Sequence, residues 1–298
     1  MQVEPITPEL GAYIRLSPTN PPSDGVAEEI LAALDSYGVL VFPGIDMSDE
    51  AFLELTSALG EKHENKVTAD GSAASEKGIF RIALDKDDRT QREFILGNDY
   101  WHMDGMSYAV PVKATLLKCE SAPTAGGDTG FANLYAAYDA LPREWKQRLA
   151  SLRVGHCLSA ALRRLYEQPT KADFERWDAI FPRVEHPLVW KQENGRSALL
   201  IGSTAHDVVG MSESDGQALL QELLEWCTQE RFTYRHHWQA GDLVIFNNPG
   251  LLHRSYPYTD AARRVMHRTT LKGCEKIKDG ASQAEAETVV PPCGPNAG

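Results

Sequence analysis

Near the start of the chain, the apolar positions repeat with the period of a helix on either side of one short apolar run. The segment "DGVAEEILAALDSYG" predicts a helix that ends at Gly38, and "VLVFPG" predicts a strand followed by a turn. A second helix is predicted in "SDEAFLELTSALG", with Ser48 or Asp49 as its N-cap and Gly60 at its end. This helix–strand–helix opening predicts a covering layer for a sheet.

From about residue 94 the pattern changes to short apolar runs that are separated by turn residues. Strands are predicted in "KATLLKCE", "GGDTGFANL", "ALLIG", "FTYRHHW", "DLVIFNN" and "RRVMHRTTLKG". Two segments with helical spacing interrupt them, "LYAAYDALPREWKQRLASL" and "SESDGQALLQELLEWCTQE". The pattern therefore predicts a mainly β fold, in which short strands form a sandwich or barrel with flanking helices.

Two stretches lack the pattern of a packed element. Residues 60–97 are rich in Lys, Asp, Gly and Ser, which predicts a long loop, and long loops in compact domains often serve as lids or binding loops. Residues 278–298 are poor in large apolar side chains, which predicts a disordered tail. We find no repeat or linker before that tail, so residues 1–277 are interpreted as one domain, with residues 60–97 as a candidate substrate cover.

Charge and composition exclude several classes of function. The net charge is −12 and the basic residues form no stripe, which argues against a nucleic-acid partner. The N-terminal residues lack a basic segment followed by an apolar run, and no apolar stretch approaches the ~20 residues that span a bilayer, so neither a signal peptide nor a membrane segment is predicted. The 5 scattered cysteines form no CxxC pair, which indicates free thiols in a reducing cytoplasm rather than a disulfide framework or zinc ribbon.

Candidate chemistry begins with "NDYWHMDGMSY", which places a histidine and an aspartate one residue apart. In an extended segment His102 and Asp104 point to the same side, as half of a metal site or as a chance surface pair. A third ligand is expected from a strand end, and His253 in "NNPGLLHRSYPY" offers one. If its segment forms a hairpin with the strand that begins near Arg263, then His253 and Arg264 face one cavity.

Two histidines and one carboxylate form the facial set that suits Fe(II) and leaves three coordination positions open. A chelating 2-oxo acid can fill two of these positions and O₂ the last. The far carboxylate of that acid needs a buried cation, and the Arg264 guanidinium can bind it through two parallel hydrogen bonds. Arg268 lies on the same strand face and ~13 Å further along an ideal strand, which predicts a second anion site for the substrate.

Five segments together give the chain a specific resemblance: "WHMD", "GGDTGF", "NGRSALLIG", "HRS" and "RRVMHRTTLKG". In order and approximate spacing they resemble the taurine dioxygenase / 2,4-dichlorophenoxyacetate dioxygenase (TauD/TfdA) family of Fe(II)- and 2-oxoglutarate-dependent oxygenases. The resemblance covers residues 5–273, nearly the whole domain. It implies a double-stranded β-helix, or jelly roll, with flanking helices, and it implies Fe(II), 2-oxoglutarate and O₂ as cofactor and cosubstrates.

The resemblance also implies roles for individual residues. It implies three metal ligands, His102, Asp104 and His253. It implies two residues that bind the 2-oxoglutarate carboxylate, Thr129 and Arg264. Two further positions match substrate contacts, Asn98 in taurine dioxygenases and Arg268, an arginine that family members often use for an anionic substrate group.

The chain departs from the family pattern around Asp104. Met103 stands where the family usually has Thr, and its side chain is expected to point away from the metal. Gly105, Met106 and Ser107 replace a "TF"-like pair. Because Asp104 and Met106 share a face of an extended segment, Met106 is predicted to shape the substrate pocket, and the substrates of taurine or phenoxy-acid enzymes are not carried over.

The predicted reaction is the hydroxylation of a small organic anion, such as a carboxylate, sulfonate or sulfate ester, with release of succinate and CO₂. Hydroxylation beside an ether oxygen or a sulfate gives an unstable product, so stable hydroxylation and net C–O or C–S cleavage both stay open. A zinc hydrolase with the same His–Asp–His set is the main alternative, and a non-catalytic 2-oxoglutarate-binding protein is another. Family members often form dimers or larger assemblies, which leaves a homo-oligomer open as well.

The remaining histidines are not predicted to bind the metal. His63 lies at the start of the polar segment and is a further candidate for substrate contact. His236 and His237 lie on a predicted strand with their rings on opposite faces, so they cannot chelate one ion together. They are interpreted as structural or surface residues, as are His156, His186 and His267.

Overall fold

The computed structural model describes residues 1–16, 24–63, 75–76, 78–84, 89–259 and 262–278. In chain order, its strands are β1 (Gln2–Pro5), β2 (Ala12–Arg15), β3 (Val39–Phe42), β4 (Ser75–Glu76), β5 (Ile79–Ile82), β6 (Ala114–Ser121), β7 (Thr129–Asn133), β8 (Arg153–His156), β9 (Val184–Pro187), β10 (Val189–Lys191), β11 (Ser197–Leu199), β12 (Ala205–Val208), β13 (Thr233–His236), β14 (Leu243–Asn247), β15 (Leu251–Ser255) and β16 (Val265–Leu271). The helices are α1 (Asp24–Tyr37), α2 (Asp49–Leu59), α3 (Arg89–Gly97), α4 (Leu134–Asp139), α5 (Arg143–Leu149), α6 (Leu158–Leu162), α7 (Lys171–Ile180) and α8 (Glu213–Cys227). Short 3₁₀ turns span Arg163–Leu165 and Glu230–Phe232.

Two sheets form the jelly-roll core, and all their strand pairs are antiparallel except β2 and β3, which are parallel. The larger sheet has the order β1-β2-β3-β14-β6-β16-β5-β4, and a three-stranded sheet has the order β13-β7-β15. One apolar cluster contains side chains of both sheets, among them Val41, Val244 and Met266 from the larger and Phe131 and Leu251 from the smaller. The predicted mainly β fold is therefore the observed one, and the predicted strands lie in these two sheets except for "ALLIG", which forms β11 in a separate two-stranded sheet with β10.

Helices α1 and α2 cover the outer face of the larger sheet. Strand β3 is buried on both sides because alternate residues face opposite layers. Val39 and Val41 join the cluster between the sheets, whereas Leu40 and Phe42 pack with the helices. Helix α2 begins at the predicted cap, since the Ser48 side chain accepts a hydrogen bond from the Ala51 amide at 3.2 Å. The predicted covering layer is confirmed.

The remaining helices pack at the sides of the core. The first long helical segment of the sequence forms two short helices, α4 and α5, which are separated at Pro142, and the second forms α8. Helices α4 and α8 lie in one apolar cluster with β11 and β12, and α6 and α7 share a smaller cluster around the fully buried Trp177. Within the described ranges, none of the helices combines the length and the apolar character that crossing a bilayer requires.

The segment 60–97 is not a loop throughout, so this prediction is wrong for part of its length. Strand β5 pairs with β16, with Ile82 opposite Met266, and α3 occupies the end of the segment. The polar side chains that made α3 resemble a loop are used in ion pairs with neighbouring helices. Residues 64–74, 77 and 85–88 lie outside the described residues, as does the predicted tail from residue 279 onward.

The predicted hairpin between the His253 and Arg264 segments is also wrong. Strand β15 pairs with β7 in the three-stranded sheet, whereas β16 pairs with β5 and β6 in the larger sheet. The connection therefore crosses from one layer to the other, because each strand has a better-matched partner from elsewhere in the chain. The two side chains nevertheless reach one cavity, since it lies between the two layers.

The cysteines depart from the expectation at one position. Three of them, Cys119, Cys157 and Cys227, are buried free thiols. Cys274 is disulfide-bonded, so the expectation of free thiols is wrong here. The positions of scattered cysteines along a chain do not reveal which of them meet in space, and this is why the sequence did not indicate the bond.

We expect Phe52→Ala to lower the free energy of unfolding by ~3–5 kcal/mol, because it removes a large ring from a fully buried position in α2. Glu54→Ala, an exposed position in the same helix, is the matched control and is expected to change stability by less than ~0.5 kcal/mol. Urea denaturation followed by circular dichroism measures both. Equal midpoints for the two variants would contradict the described packing of α2 on the sheet.

Candidate active site

Three ligand-type side chains converge where the segment after α3 crosses β15. His102 and His253 form a backbone bridge, in which each amide donates to the carbonyl of the other residue at 2.9 Å. His102 Nε2 lies 4.0 Å from Asp104 Oδ1, and His253 Nε2 lies 3.8 Å from Asp104 Oδ2. One ligand atom from each of the three residues lies within 4.8 Å of the other two.

These separations fit a metal ion better than direct contacts. Distances of 3.8 and 4.0 Å are too long for hydrogen bonds. Two atoms that each lie ~2.0–2.2 Å from one ion are separated by at most ~4.4 Å, so an ion can sit between them with small adjustments. Two imidazoles and one carboxylate are also a donor set that suits Fe(II). His102, Asp104 and His253 can therefore hold the predicted metal.

Further hydrogen bonds hold two of the three residues, His102 and Asp104, in position. His102 Nδ1 donates to the Tyr100 carbonyl at 2.8 Å, so the unprotonated Nε2 faces Asp104, as a metal ligand requires. The Asp104 amide donates to Asn248 Oδ1 at 2.9 Å, and Asn248 Nδ2 donates back to the Asp104 carbonyl at 2.8 Å. Because Asn248 is fully buried at the end of β14, it fastens the backbone of the carboxylate ligand to the larger sheet.

The local charges keep the ligands in their binding forms. Burial alone raises the pKa of Asp104, but the Arg268 guanidinium and then the two imidazoles lower it by more, so the pKa lies well below the ordinary value. Burial lowers the pKa of His102, and burial together with His102 lowers that of His253. At neutral pH the carboxylate is therefore ionised and both imidazoles are neutral, which is the state that binds a metal.

A cavity opens beside these residues, and its two parts differ in polarity. The polar part is lined by Asn98, Thr129, Ser255, Tyr258, Arg264 and Arg268. The apolar part is lined by Ile82 from β5, Ile95 from α3, and Leu117 and Phe246 from the larger sheet. No aspartate or glutamate is among the described residues that line it.

Arg264 is held at the polar end by the glycine-rich turn before β7. Its side chain is buried, with 5% of the residue exposed, and Nε donates to the Gly127 carbonyl at 2.8 Å. A Cβ on Gly127 would lie 2.8 Å from Arg264 Cδ, and the φ of +71° also favours glycine. The second glycine of "GGDT" therefore lets the arginine pass close to the backbone.

The polar end of the cavity is suited to bind an anion. The indole of Trp238 donates to Thr129 Oγ1 at 2.9 Å, so the hydroxyl is left to donate its own proton. Burial lowers the pKa of Arg264, yet a guanidinium stays charged. Among the described residues Arg264 forms no ion pair, and a buried cation in that position is stabilised by an anionic ligand.

Arg268 places a second cation near the metal-binding residues. Its Nη2 lies 3.8 Å from Asp104 Oδ2, and its guanidinium rests over the Phe80 ring at 5.7 Å. Within the described part of the chain, its buried Nε has no hydrogen-bond partner. The side chain is 18% exposed and opens into the cavity, so it can accept an anionic group from a bound molecule.

Comparison with known proteins agrees with this geometry. The family model described as "Taurine catabolism dioxygenase TauD, TfdA family" matches residues 2–270. The chain belongs to the TauD/TfdA dioxygenase family. The predicted family is confirmed, and with it the predicted enzyme class of a 2-oxoglutarate-dependent dioxygenase.

Individual TauD/TfdA relatives match over most of their length. The chain is 32% identical over 251 residues to (S)-phenoxypropionate/alpha-ketoglutarate-dioxygenase of Sphingobium herbicidovorans, which covers 82% of this chain and 85% of the relative. It is 30% identical over 285 residues to the alpha-ketoglutarate-dependent sulfate ester dioxygenase of Pseudomonas putida, covering 92% and 90%. The crystal structure of AAD-2 in complex with Mn(II) and N-oxalylglycine superposes with a TM-score of 0.84 at 30% identity, covering 93% of this chain and 99% of AAD-2.

One predicted site residue does not reach the cavity. Met106 is 1% exposed and packs in the core with Met103 and the side chains around α4 and α8. The alternation expected of an extended segment ends at Asp104, because Gly105 takes a φ of +80° and turns the chain. The prediction that Met106 shapes the pocket is therefore wrong.

The other histidines lie away from the cavity. The His63 ring lies 5.4 Å from the Tyr108 ring, tilted by 59°, and does not line the cavity. His236 is buried with its Nε2 facing Asp242 at 3.1 Å, whereas His237 is 75% exposed and pairs with Asp128. The two rings are thus separate, as the opposite faces of a strand predict.

Sequence reasoning missed several residues that support this TauD/TfdA site. Asn248 appeared only as the end of a strand, and Ile82 and Ile95 lay in the segment interpreted as a loop. Trp238 lay at the end of the predicted strand "FTYRHHW", and no role was predicted for it. A polar residue directly after an apolar strand is the one signal that could have indicated Asn248, since such a side chain is buried only with partners.

We expect Asn248→Ala to lower the affinity for Mn(II) by about 10–100-fold, because Asp104 loses both hydrogen bonds that hold its backbone. Isothermal titration of the purified chain with Mn(II) alone measures this. Asn194→Ala, at an exposed turn, is the control and is expected to bind as the unchanged protein does. If both variants bind Mn(II) equally well, Asn248 does not position the ligand.

Proposed function

We propose that this chain uses Fe(II), 2-oxoglutarate and O₂ to oxidise a small organic anion with an apolar body. One observation carries the proposal: the two histidines of the His–Asp–His set line the same cavity as a buried arginine that forms no ion pair in the described chain. The arginine is Arg264, and its charge calls for an anion, which none of the described residues provides through an ion pair. A 2-oxo acid that reaches from the metal to this guanidinium satisfies both features.

Different residues bind the metal and the cosubstrate. Fe(II) bound by one carboxylate and two imidazoles retains open positions for a chelating 2-oxo acid and for O₂, and it supplies the oxidising chemistry. His102, Asp104 and His253 hold the ion. Arg264 and Thr129 bind the far carboxylate of 2-oxoglutarate, the arginine through charge and the hydroxyl through a hydrogen bond. Overall, 2-oxoglutarate, O₂ and a substrate C–H group become succinate, CO₂ and an alcohol.

The second arginine and the apolar wall support a substrate class. Arg268 faces the cavity with an unpartnered buried Nε in the described structure, which favours an anionic group on the substrate. Ile82, Ile95 and Leu117 favour an apolar body beside it. No described lining residue is acidic, so an ammonium group would find no counter-charge there. Aryl or alkyl carboxylates, sulfonates and sulfate esters fit, in keeping with the phenoxypropionate and sulfate ester named for two relatives.

We expect Arg264→Ala to weaken 2-oxoglutarate binding by roughly 10²–10³-fold, because the ligand carboxylate would be buried without a partner, at a cost of ~3–5 kcal/mol. Anaerobic isothermal titration of the Mn(II)-loaded protein measures the dissociation constant. Arg148→Ala removes an exposed arginine of α5 that does not line the cavity, and it is expected to leave the constant unchanged. Unchanged affinity in Arg264→Ala would show that the cosubstrate binds elsewhere.

We expect carboxylates, sulfonates and sulfate esters with aryl or alkyl bodies to stimulate succinate release, and we expect their neutral esters and amides to do so poorly. Arg268→Met, which removes the charge but retains length, should raise the KM for the best anion by about 10–100-fold, since a hydrogen bond to a charged group contributes ~1.5–3 kcal/mol. The KM for 2-oxoglutarate should change little. Quantification of succinate by chromatography provides both constants.

Two outcomes of this screen would contradict the proposal. If only neutral or cationic compounds stimulate turnover, Arg268 does not bind the substrate. Hydrolytic turnover with Zn(II) under argon, without 2-oxoglutarate, would favour a hydrolase. That alternative explains the three ligands but gives Arg264 and Thr129 no role.

A further inference from the structure

Helix α3 presents two different faces to its surroundings. Ile95 lines the apolar part of the cavity. Glu93 lies two residues earlier, on nearly the opposite side of the helix, since each residue turns a helix by about 100°. It points into the space between α3, the turn at Arg163–Leu165 and α7. The helix therefore forms a cavity wall on one side and an attachment surface on the other.

Glu93 is the centre of that attachment. The residue is 3% exposed. Arg176 of α7 donates to both carboxylate oxygens, Nη1 at 2.7 Å and Nη2 at 2.8 Å. The Tyr166 hydroxyl donates at 2.5 Å, the Trp177 indole at 3.2 Å and Arg89 Nε at 3.2 Å. One carboxylate thus joins three parts of the chain.

A second carboxylate balances the charge of this group. Arg89 Nη2 also contacts Asp173 of α7 at 2.6 Å, and Arg176 Nη2 lies 3.3 Å from the same carboxylate. Asp173 is itself fixed by the capping box of α7, where the Thr170 hydroxyl and amide both donate to it. Burial raises the pKa of Glu93, but the hydrogen bond from Arg176 and the others lower it below the ordinary value, so the carboxylate stays ionised.

The geometry of this group is more specific than apolar packing would be. A bidentate arginine–carboxylate pair fixes distance and orientation together. An apolar contact tolerates sliding, because it has no preferred direction. Attachment through Glu93 therefore sets the rotation of α3 about its axis as well as its distance from α7, and with them the position of Ile95 in the cavity.

The chain that follows α3 is attached separately. The Ser255 amide donates to the Asn98 carbonyl at 2.7 Å, and the Ser255 hydroxyl donates to Asp99 Oδ1 at 2.6 Å. The backbone bridge between His102 and His253 follows. The metal-binding residues are thus placed by β15, whereas the wall formed by Ile95 is placed through Glu93.

We propose that Glu93 is a positioning residue that acts through α3 to aim the organic substrate, while the metal and 2-oxoglutarate are bound independently of it. The inference rests on the proposed function for what the cavity holds. When the wall is displaced, the cosubstrate is still consumed, but the substrate carbon is no longer held at the reacting position. The signature is therefore succinate release without a matching amount of oxidised substrate.

Three variants test this at increasing severity. Tyr166→Phe removes one hydrogen bond without a change of charge. Arg176→Lys retains the charge but loses the pair of parallel hydrogen bonds to Glu93. Glu93→Gln removes the charge of the carboxylate. We expect the KM for the best anion of the panel to rise by about 3–30-fold and the ratio of oxidised product to succinate to fall, the range expected when a supporting network is loosened. The dissociation constant of 2-oxoglutarate should stay within about twofold of the unchanged protein.

Arg183→Lys is the matched control. Arg183 forms a two-bond pair with Asp207 of β12, at 2.9 and 2.6 Å, and it directly precedes β9, so this pair does not involve α3. We expect its KM and product ratio to equal those of the unchanged protein. If Glu93→Gln does not fold, the two milder variants carry the test.

Hydrogen exchange of the α3 amides separates failure of this inference from failure of the proposed function. Loss of protection across residues 89–97 in the variants, with a lowered product ratio, supports the inference. Loss of protection with an unchanged product ratio overturns it, as does a 2-oxoglutarate affinity that falls as much as the substrate affinity. If the unchanged protein releases no succinate with any anion, the proposed function fails, and the role of Glu93 in aiming a substrate fails with it, whereas its attachment of α3 is still measured by the exchange.

Discussion

The site depends on keeping one carboxylate, Asp104, ionised in a place that is shielded from water. A buried carboxylate is costly unless cations or hydrogen bonds compensate for its charge. Here the Arg268 guanidinium lies 3.8 Å from Asp104 Oδ2, and the Thr115 hydroxyl donates to the same oxygen at 3.3 Å. The arrangement leaves room for a metal ion among the ligands, and it also places a second cation where the substrate enters. Metal binding and substrate binding therefore both depend on the positive charge of Arg268 beside Asp104.

Backbone hydrogen bonds position most of this arrangement. The bridge between His102 and His253 ties the first ligand segment to β15, and Asn248 ties the Asp104 backbone to the end of β14. The two strands belong to different sheets, so the relative positions of the metal-binding residues depend on how the two sheets are stacked. The second glycine of the "GGDT" turn lets Arg264 approach along the backbone. A change in the register of either sheet would move one ligand relative to the other two.

Sequence reasoning reached the strands and the site because both depend on local patterns. Alternation located the core strands, and the motifs named the residues that converge on the cavity. Prediction from the sequence failed where tertiary contacts overrode a local sequence pattern. The turn at Gly105 ended the alternation that placed Met106 in the pocket. Helix α3 was interpreted as loop because residues 60–97 as a whole are rich in Lys, Asp, Gly and Ser, although Glu93 of that helix is buried against α7. A sequence does not distinguish a charge that faces water from one whose partner lies in a distant helix.

The cavity is consequently built by two kinds of interaction with different tolerance to change. Its floor, which carries the metal-binding residues and Arg264, is fixed by strands whose backbone bonds are shared with the core. Its wall at Ile95 is carried by a short helix that belongs to neither sheet and that is attached to α7 through the side chains of Glu93 and Arg176. Side chains of a wall can be exchanged without a change of register in either sheet, because they contribute no bond to the ladders. A chain of this design can therefore alter which molecule it admits while the residues that bind the metal and the cosubstrate keep their positions.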